Sequence, residues 1–161
     1  METVAHPAGV ARTDEQLAHV RKAVAELDLR LVKKKVASET DWSEEKVNHL
    51  ASVYRRFLFL CYKHPGVTVA TRDVDAFWHR HILDTRKYAA DCQEMFGFFL
   101  HHDPHALHRD PDLTRSVLDD RFRETHRLYE MEFGEKSFDV YKAQCDDCVP
   151  DYDDMGSESR P

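Results

Sequence analysis

At 161 residues with a formal net charge of −7, the chain has the length of one domain with a sizeable core. The acidic balance argues against general nucleic-acid binding, which rewards clustered Lys and Arg, and no apolar run approaches the ~18 residues of a membrane helix. Met1 to Arg12 lacks the apolar centre of a signal peptide, so a cytoplasmic address is expected, in which the four cysteines stay as free thiols.

Residues 1–12, with Pro7 and Gly9, read as a flexible tail. Thr13 and Gln16 form a capping box for a first helix, in which Leu17, Val20, Val24, Leu27 and Leu31 recur at helical spacing. The Lys33 to Lys35 run reads as a solvated helix end. A polar break from Ala37 to Asp41 leads to Trp42 and Ser43, where Trp42 is placed to staple against Val47. The second helix runs to about Tyr62, presents Val47, Leu50, Tyr54, Phe57, Leu58 and Cys61, and stops at His64-Pro65-Gly66. His64 there reads as a partner of the helix C-terminal dipole. Val67 to Ala70 is a short crossing segment.

The richest stretch follows, from Arg72 to Phe96, and its composition predicts one helix of about 25 residues with Thr71 as N-cap and Gly97 as terminator. At about 100° per residue, Val74, Phe77, Trp78, His81, Thr85, Tyr88, Cys92, Phe96 and Phe99 share the buried face. His79 lies with Asp75 on a second stripe, so the histidines of His79-Arg80-His81 point to nearly opposite sides. A straight helix also sets His81 and Cys92 about 16 Å apart along the axis, too far to share an ion. Any ligand set must therefore recruit another segment.

An irregular loop from His101 to Asp110 holds His101, His102, His105 and His108. Asp110-Pro111 is expected to open a last long helix, with Pro111 at its first position, Leu113, Val117, Leu118, Phe122, Thr125, Leu128 and Tyr129 inside, and Gly134 at its end. A short helix near Phe138 to Ala143 closes the structure. Residues 145–161 form an acidic flexible tail, in which Cys145-Asp146-Asp147-Cys148 lacks the second cysteine pair of a closed zinc site. The fold class expected is all-α: a single helical domain over 13–144, built as an antiparallel bundle of about four long helices with an irregular His-rich loop.

The run from Asp73 to Tyr88, with Asp91-Cys92, Phe96-Gly97 and His102-Asp103-Pro104 downstream and Tyr54-Arg55-Arg56-Phe57-Leu58 and His64-Pro65-Gly66 upstream, resembles the glycine-rich domain-containing protein-like family. The resemblance covers roughly residues 45–105, and its most specific part is the core Trp78-His79-Arg80-His81 with its aspartate. With five glycines and no glycine-rich extension, the chain looks like that family's helical domain alone. The resemblance implies a helical fold and no particular chemistry.

The residues themselves point to a metal. Asp75 stands four positions before His79 and Asp84 three after His81, so each imidazole has a carboxylate within helical reach to fix its tautomer. Metal-ligand candidates are His79, His81, Cys92, His101 and His102, the last two brought close to Cys92 and Tyr88 if the loop folds back after Gly97. Asp75, Trp78, Asp91 and His126 are expected around them. Imidazoles with a carboxylate suit Zn, Fe or Cu, and an added thiolate would favour Zn or Cu. With an open position the ion is expected to activate water or dioxygen, Tyr88 and Asp84 handling protons for a small-molecule or peptide substrate, in a metal-dependent enzyme for which oxidoreductase is the candidate class. The competing class is a non-catalytic interaction module, in which the His/Asp cluster is a buried polar network fixing helix packing. No phosphate-binding glycine loop or nucleophile elbow is present.

Overall fold

A computed structural model describes residues 11–103 and 109–134. Among them lie six helices and no strand: α1 Asp14–Glu26, α2 Arg30–Glu39, α3 Glu44–Lys63, α4 Arg72–Leu83, α5 Thr85–Phe96 and α6 Arg115–Phe133. Residues 1–10, the segment near Phe138 to Ala143, the tail 145–161 and the pair His105 and His108 lie outside the described residues. No helix described is long and apolar enough to cross a membrane.

Helix α3 is the axis of the fold and packs on α1, α2, α4 and α6. Every residue from Phe57 to Tyr62 is buried, the pattern of a helix apolar all round and enclosed by neighbours rather than one laid on a surface. Its start is set by Ser43, whose hydroxyl accepts from the Lys46 amide at 3.2 Å. On α1 the capping box is reciprocal, since Thr13 Oγ1 accepts from the Gln16 amide and Gln16 Oε1 from the Thr13 amide.

The expected first helix, carried through Leu31 to the Lys33–Lys35 run, is split in two, with α1 ending at Glu26. Asp28 takes the Arg30 amide and guanidinium on its carboxylate, which stops α1 and restarts the chain as α2. Arg55 of α3 donates to the freed Leu27 carbonyl at 2.8 and 3.2 Å, satisfying a group the helix no longer pairs. The break turns Leu29 inward at 1% exposure and leaves Leu31, expected inside, 66% exposed.

The last helix also starts later than Pro111. Asp110 accepts from the Leu113 amide through its carbonyl and from the Asp112 amide through its side chain, so Asp110-Pro111 makes a β-turn with Pro at its second position. Helix α6 then begins at Arg115 behind the Thr114 cap. Its far end is held to the core by Glu132, which pairs with both Arg21 of α1 and Lys63 of α3.

The largest departure is in the middle. The expected continuous helix is broken at Asp84, whose backbone (φ −83°, ψ 71°) ends α4 and whose side chain caps α5 by accepting from the Lys87 amide. Trp78 Nε1 reaches the Tyr88 hydroxyl at 3.0 Å and His81 Nε2 reaches Asp91 Oδ2 at 2.8 Å, each ten residues apart. In a straight helix ten residues span about 15 Å. Helix α5 is therefore folded back against α4.

Candidate metal centre

Thr71 caps α4 by accepting from the Val74 amide at 3.2 Å, which fixes the first turn and with it Asp75. One turn later His79 stands on the same stripe, and its Nε2 lies 3.4 Å from Asp75 Oδ2. His102 comes from beyond α5: its Nε2 is 2.7 Å from Asp75 Oδ1 and 3.0 Å from His79 Nε2. One ligand atom from each of the three side chains lies within 4.8 Å of the others. Asp75 is buried, while the His79 side chain is 29% exposed and opens the group to solvent.

The route of His102 to this point is built from aromatics. Gly97 ends α5 in the left-handed region (φ 75°), and the chain doubles back with Phe98 stacked on Phe96 and Tyr62 at ring-centroid distances of 5.7 and 6.2 Å. The Tyr88 hydroxyl donates to the Leu100 carbonyl at 2.6 Å while accepting from Trp78. His102 then lies against the indole of Trp78, ring centroids 4.6 Å apart.

The spacing suits a cation. With bonds of about 2.0 to 2.2 Å to imidazole nitrogen and carboxylate oxygen, ligand-to-ligand edges come to about 3.3 Å in a tetrahedron and about 3.0 Å in an octahedron. The two Nε2 atoms are 3.0 Å apart, with His102 at 2.7 Å from Asp75 Oδ1 and His79 at 3.4 Å from Asp75 Oδ2, separations of the size of those edges, so a small rearrangement about the carboxylate admits a first-row metal. Each Nε2 carries one proton at most. The two nitrogens facing one carboxylate either share protons with it or give their lone pairs to an ion.

His81 occupies a different network on the opposite face of α4, with 0% exposure. Its Nδ1 meets the Tyr54 hydroxyl at 2.9 Å and its Nε2 the carboxylate of Asp91, which also takes the Lys87 ammonium at 2.6 Å on the same oxygen. A carboxylate only accepts, so Nε2 carries the proton, Nδ1 presents its lone pair and Tyr54 donates. Burial holds the His81 pKa below its ordinary value, against the pull of Asp91, and burial raises that of Tyr54. Both imidazole nitrogens are committed.

The structure thus brings together two of the expected ligands, His79 and His102, with Asp75 as a direct neighbour of both rings rather than a supporting contact. It separates His81, Cys92 and His101 from them. Cys92 is in the core beside Tyr88 and Leu100, where burial pushes its thiol pKa up and disfavours the thiolate a metal needs. His101 is exposed and turned to Phe99, ring centroids 4.8 Å apart. His126, on α6, sits against Phe122 with ring centroids 4.5 Å apart. Trp78 does flank the group, and Asp91 serves His81. Of the two expected proton carriers, Tyr88 is buried with its hydroxyl bonded on both sides, and Asp84 is an exposed helix cap. Tyr54 and Lys87 were not anticipated. The Asp84 fold-back, which brings Asp91 and with it Lys87 to His81, leaves no trace in the helical periodicity.

Neither a search of curated proteins nor one of solved structures returned a match. The sequence does match a family whose name specifies no activity, over residues 15–131, which span all six helices but the ends of α1 and α6; the chain belongs to the UCP032817-like family.

Proposed function

We propose that this protein binds one first-row transition metal through Asp75, His79 and His102, in a centre open to a small-molecule or peptide ligand, and that it acts there as a metal-dependent enzyme. The observation that carries the reading is the convergence of the Asp75 carboxylate and both Nε2 atoms at 2.7 to 3.4 Å. Two imidazoles and one carboxylate are the donor set of open zinc sites and of the facial iron sites that handle dioxygen. Zn, Fe and Cu all suit it. Bound there, the ion would polarise water or an oxygen-donor ligand at its free positions. The protein's share is to hold Asp75 and His102 by burial and to leave the His79 side accessible.

For the His81 cluster a different reading applies. Tyr54, His81, Asp91 and Lys87 satisfy one another in the core, which supports a structural network that fixes α3, α4 and α5 together.

Elemental analysis after loading with Zn(II) and dialysis tests the proposal, with about one ion per chain expected. Asp75→Asn and the His79→Ala, His102→Ala double variant should lose it, and His101→Ala should keep it. Because bound imidazoles and carboxylate must be free of protons, affinity should weaken on acidification. Sub-stoichiometric metal under every loading condition, or full loading of the double variant, removes the assignment.

A further inference from the structure

The His79 and Asp75 donors come on one rigid helix turn, whereas His102 lies six residues past the end of α5 on a non-helical segment. Two donors are thus in place by secondary structure alone, and the third depends on what holds residues 98–102. Several contacts do so. Phe98 packs on Phe96 and Tyr62 and Phe99 sets its ring edge-on to Tyr88, but these apolar contacts allow sliding because dispersion and area burial are non-directional. The directional contacts fall on Leu100: its amide meets the Cys92 thiol, and its carbonyl accepts at 2.6 Å from the Tyr88 hydroxyl, which itself accepts from Trp78 Nε1 at 3.0 Å.

We infer that Tyr88 and Trp78 are positioning residues for the third ligand: the chain Trp78 Nε1–H to Tyr88 Oη–H to Leu100 carbonyl latches the segment onto α4 and α5 and sets His102 over Asp75. The geometry has a specific logic. Tyr88 is on α5 and Trp78 on α4, so the latch closes only when α5 is folded back at Asp84. Trp78 also supplies the flat surface on which the His102 ring rests, 4.6 Å between centroids, so one residue sets both the position of the segment and the tilt of the ring. Leu100 is two residues from His102, close enough for a carbonyl held at 2.6 Å to restrict where the imidazole can reach. The site is complete, on this account, only in the folded-back arrangement of α4 and α5.

The inference rests on the metal-site reading for its purpose but not for its test, which has a metal-free arm. The His102 ring proton resonances, assigned by their loss in His102→Ala, should be displaced by the ring current of Trp78 in the metal-free protein. Tyr88→Phe keeps the aromatic ring and removes the latch, and should move them back towards the positions of a free imidazole. The second arm measures Zn(II) affinity by competition with a chromophoric chelator. Tyr88→Phe should weaken it by about 10- to 100-fold, the range for contacts that orient a ligand, and should have little further effect in a His102→Ala background.

A purely structural role for Tyr88 gives a different pattern, with equal weakening in both backgrounds. That result, or His102 resonances unmoved by Tyr88→Phe, overturns the inference. Should Tyr88→Phe fail to fold, Trp78→Phe removes the indole donor and leaves the Leu100 bond, and its Zn(II) affinity must fall in the wild-type background with little further effect in His102→Ala. If the wild-type chain takes up no Zn(II), the metal-site reading falls, and the resonance arm still decides the latch.

Discussion

His79 and His81 are separated by one residue and have opposite fates. On α4 the roughly 200° between them puts one at the solvent edge beside Asp75 and the other in the core. Their substitutions should separate stability from metal binding. Tyr54→Phe leaves His81 Nδ1 buried without its donor, which should cost about 1 to 3 kcal/mol, while metal content stays at the wild-type level. His79→Ala, at a part-exposed side chain, should change stability by no more than about 0.5 to 1 kcal/mol and abolish metal retention. Urea unfolding and elemental analysis on the same preparations check both. A Tyr54→Phe protein that unfolds like wild type removes the energetic role of the network, and loss of metal in it would join the two clusters. The opposite orientation of these histidines was legible from their angular positions. Asp75 beside His79 was legible too, whereas the partners of His81 were not, because Tyr54 reaches it from α3 and Asp91 only through the fold-back.

That fold-back is the decisive feature at the level of elements. Periodicity reads Val74, Phe77, Trp78, His81, Thr85, Tyr88, Cys92, Phe96 and Phe99 as one stripe, and all but Thr85 and Phe99 are in fact buried. Both α4 and α5 keep their apolar faces inward, so the pattern survives a break that only rotates the chain between them. The sole local signal is Asp84, a residue type suited to capping a new helix. A second signal was plain: Gly97 ends α5 and Gly134 ends α6, both in the left-handed region with open space where a Cβ would stand. Gly97→Ala and Gly134→Ala should therefore each cost about 1 to 2 kcal/mol from backbone strain alone. Only Gly97→Ala should also weaken Zn(II) binding, since the turn it makes delivers residues 98–102 to α4. Matched thermal midpoints with unequal metal affinity are expected; equal affinities would detach the segment's course from the glycine.

Across the whole molecule, the all-helical class and the enclosed α3 were legible in amphipathic spacing and in the run Phe57 to Tyr62, whereas six helices instead of four long ones came from side-chain caps at Asp28 and Asp84 that interrupt apolar patterns without altering them. One consequence belongs to no single helix. His64, His81 and His126 lie at the end of α3, on α4 and on α6, and burial lowers the pKa of all three, Lys63 adding to the effect at His64. An unfolded chain returns each to about 6.5. Below that value the unfolded state binds more protons than the folded state, so the free energy of unfolding rises with pH there and becomes flat above about 7.5. Glu132 adds a later step: burial raises its pKa but Lys63 and Arg21 outweigh this and lower it, so its stabilisation is present above the usual carboxylate range and is lost as pH falls through it. Urea midpoints of the metal-free protein should thus be highest at about pH 7.5, begin to fall near about pH 6.5, and fall further towards about pH 4. His64→Gln and His126→Gln together should shallow the first part of the decline and leave the acidic part in place. Midpoints that hold constant or rise between pH 7 and pH 5.5 would show that the buried histidines are charged in the folded protein, and that the core tolerates those charges.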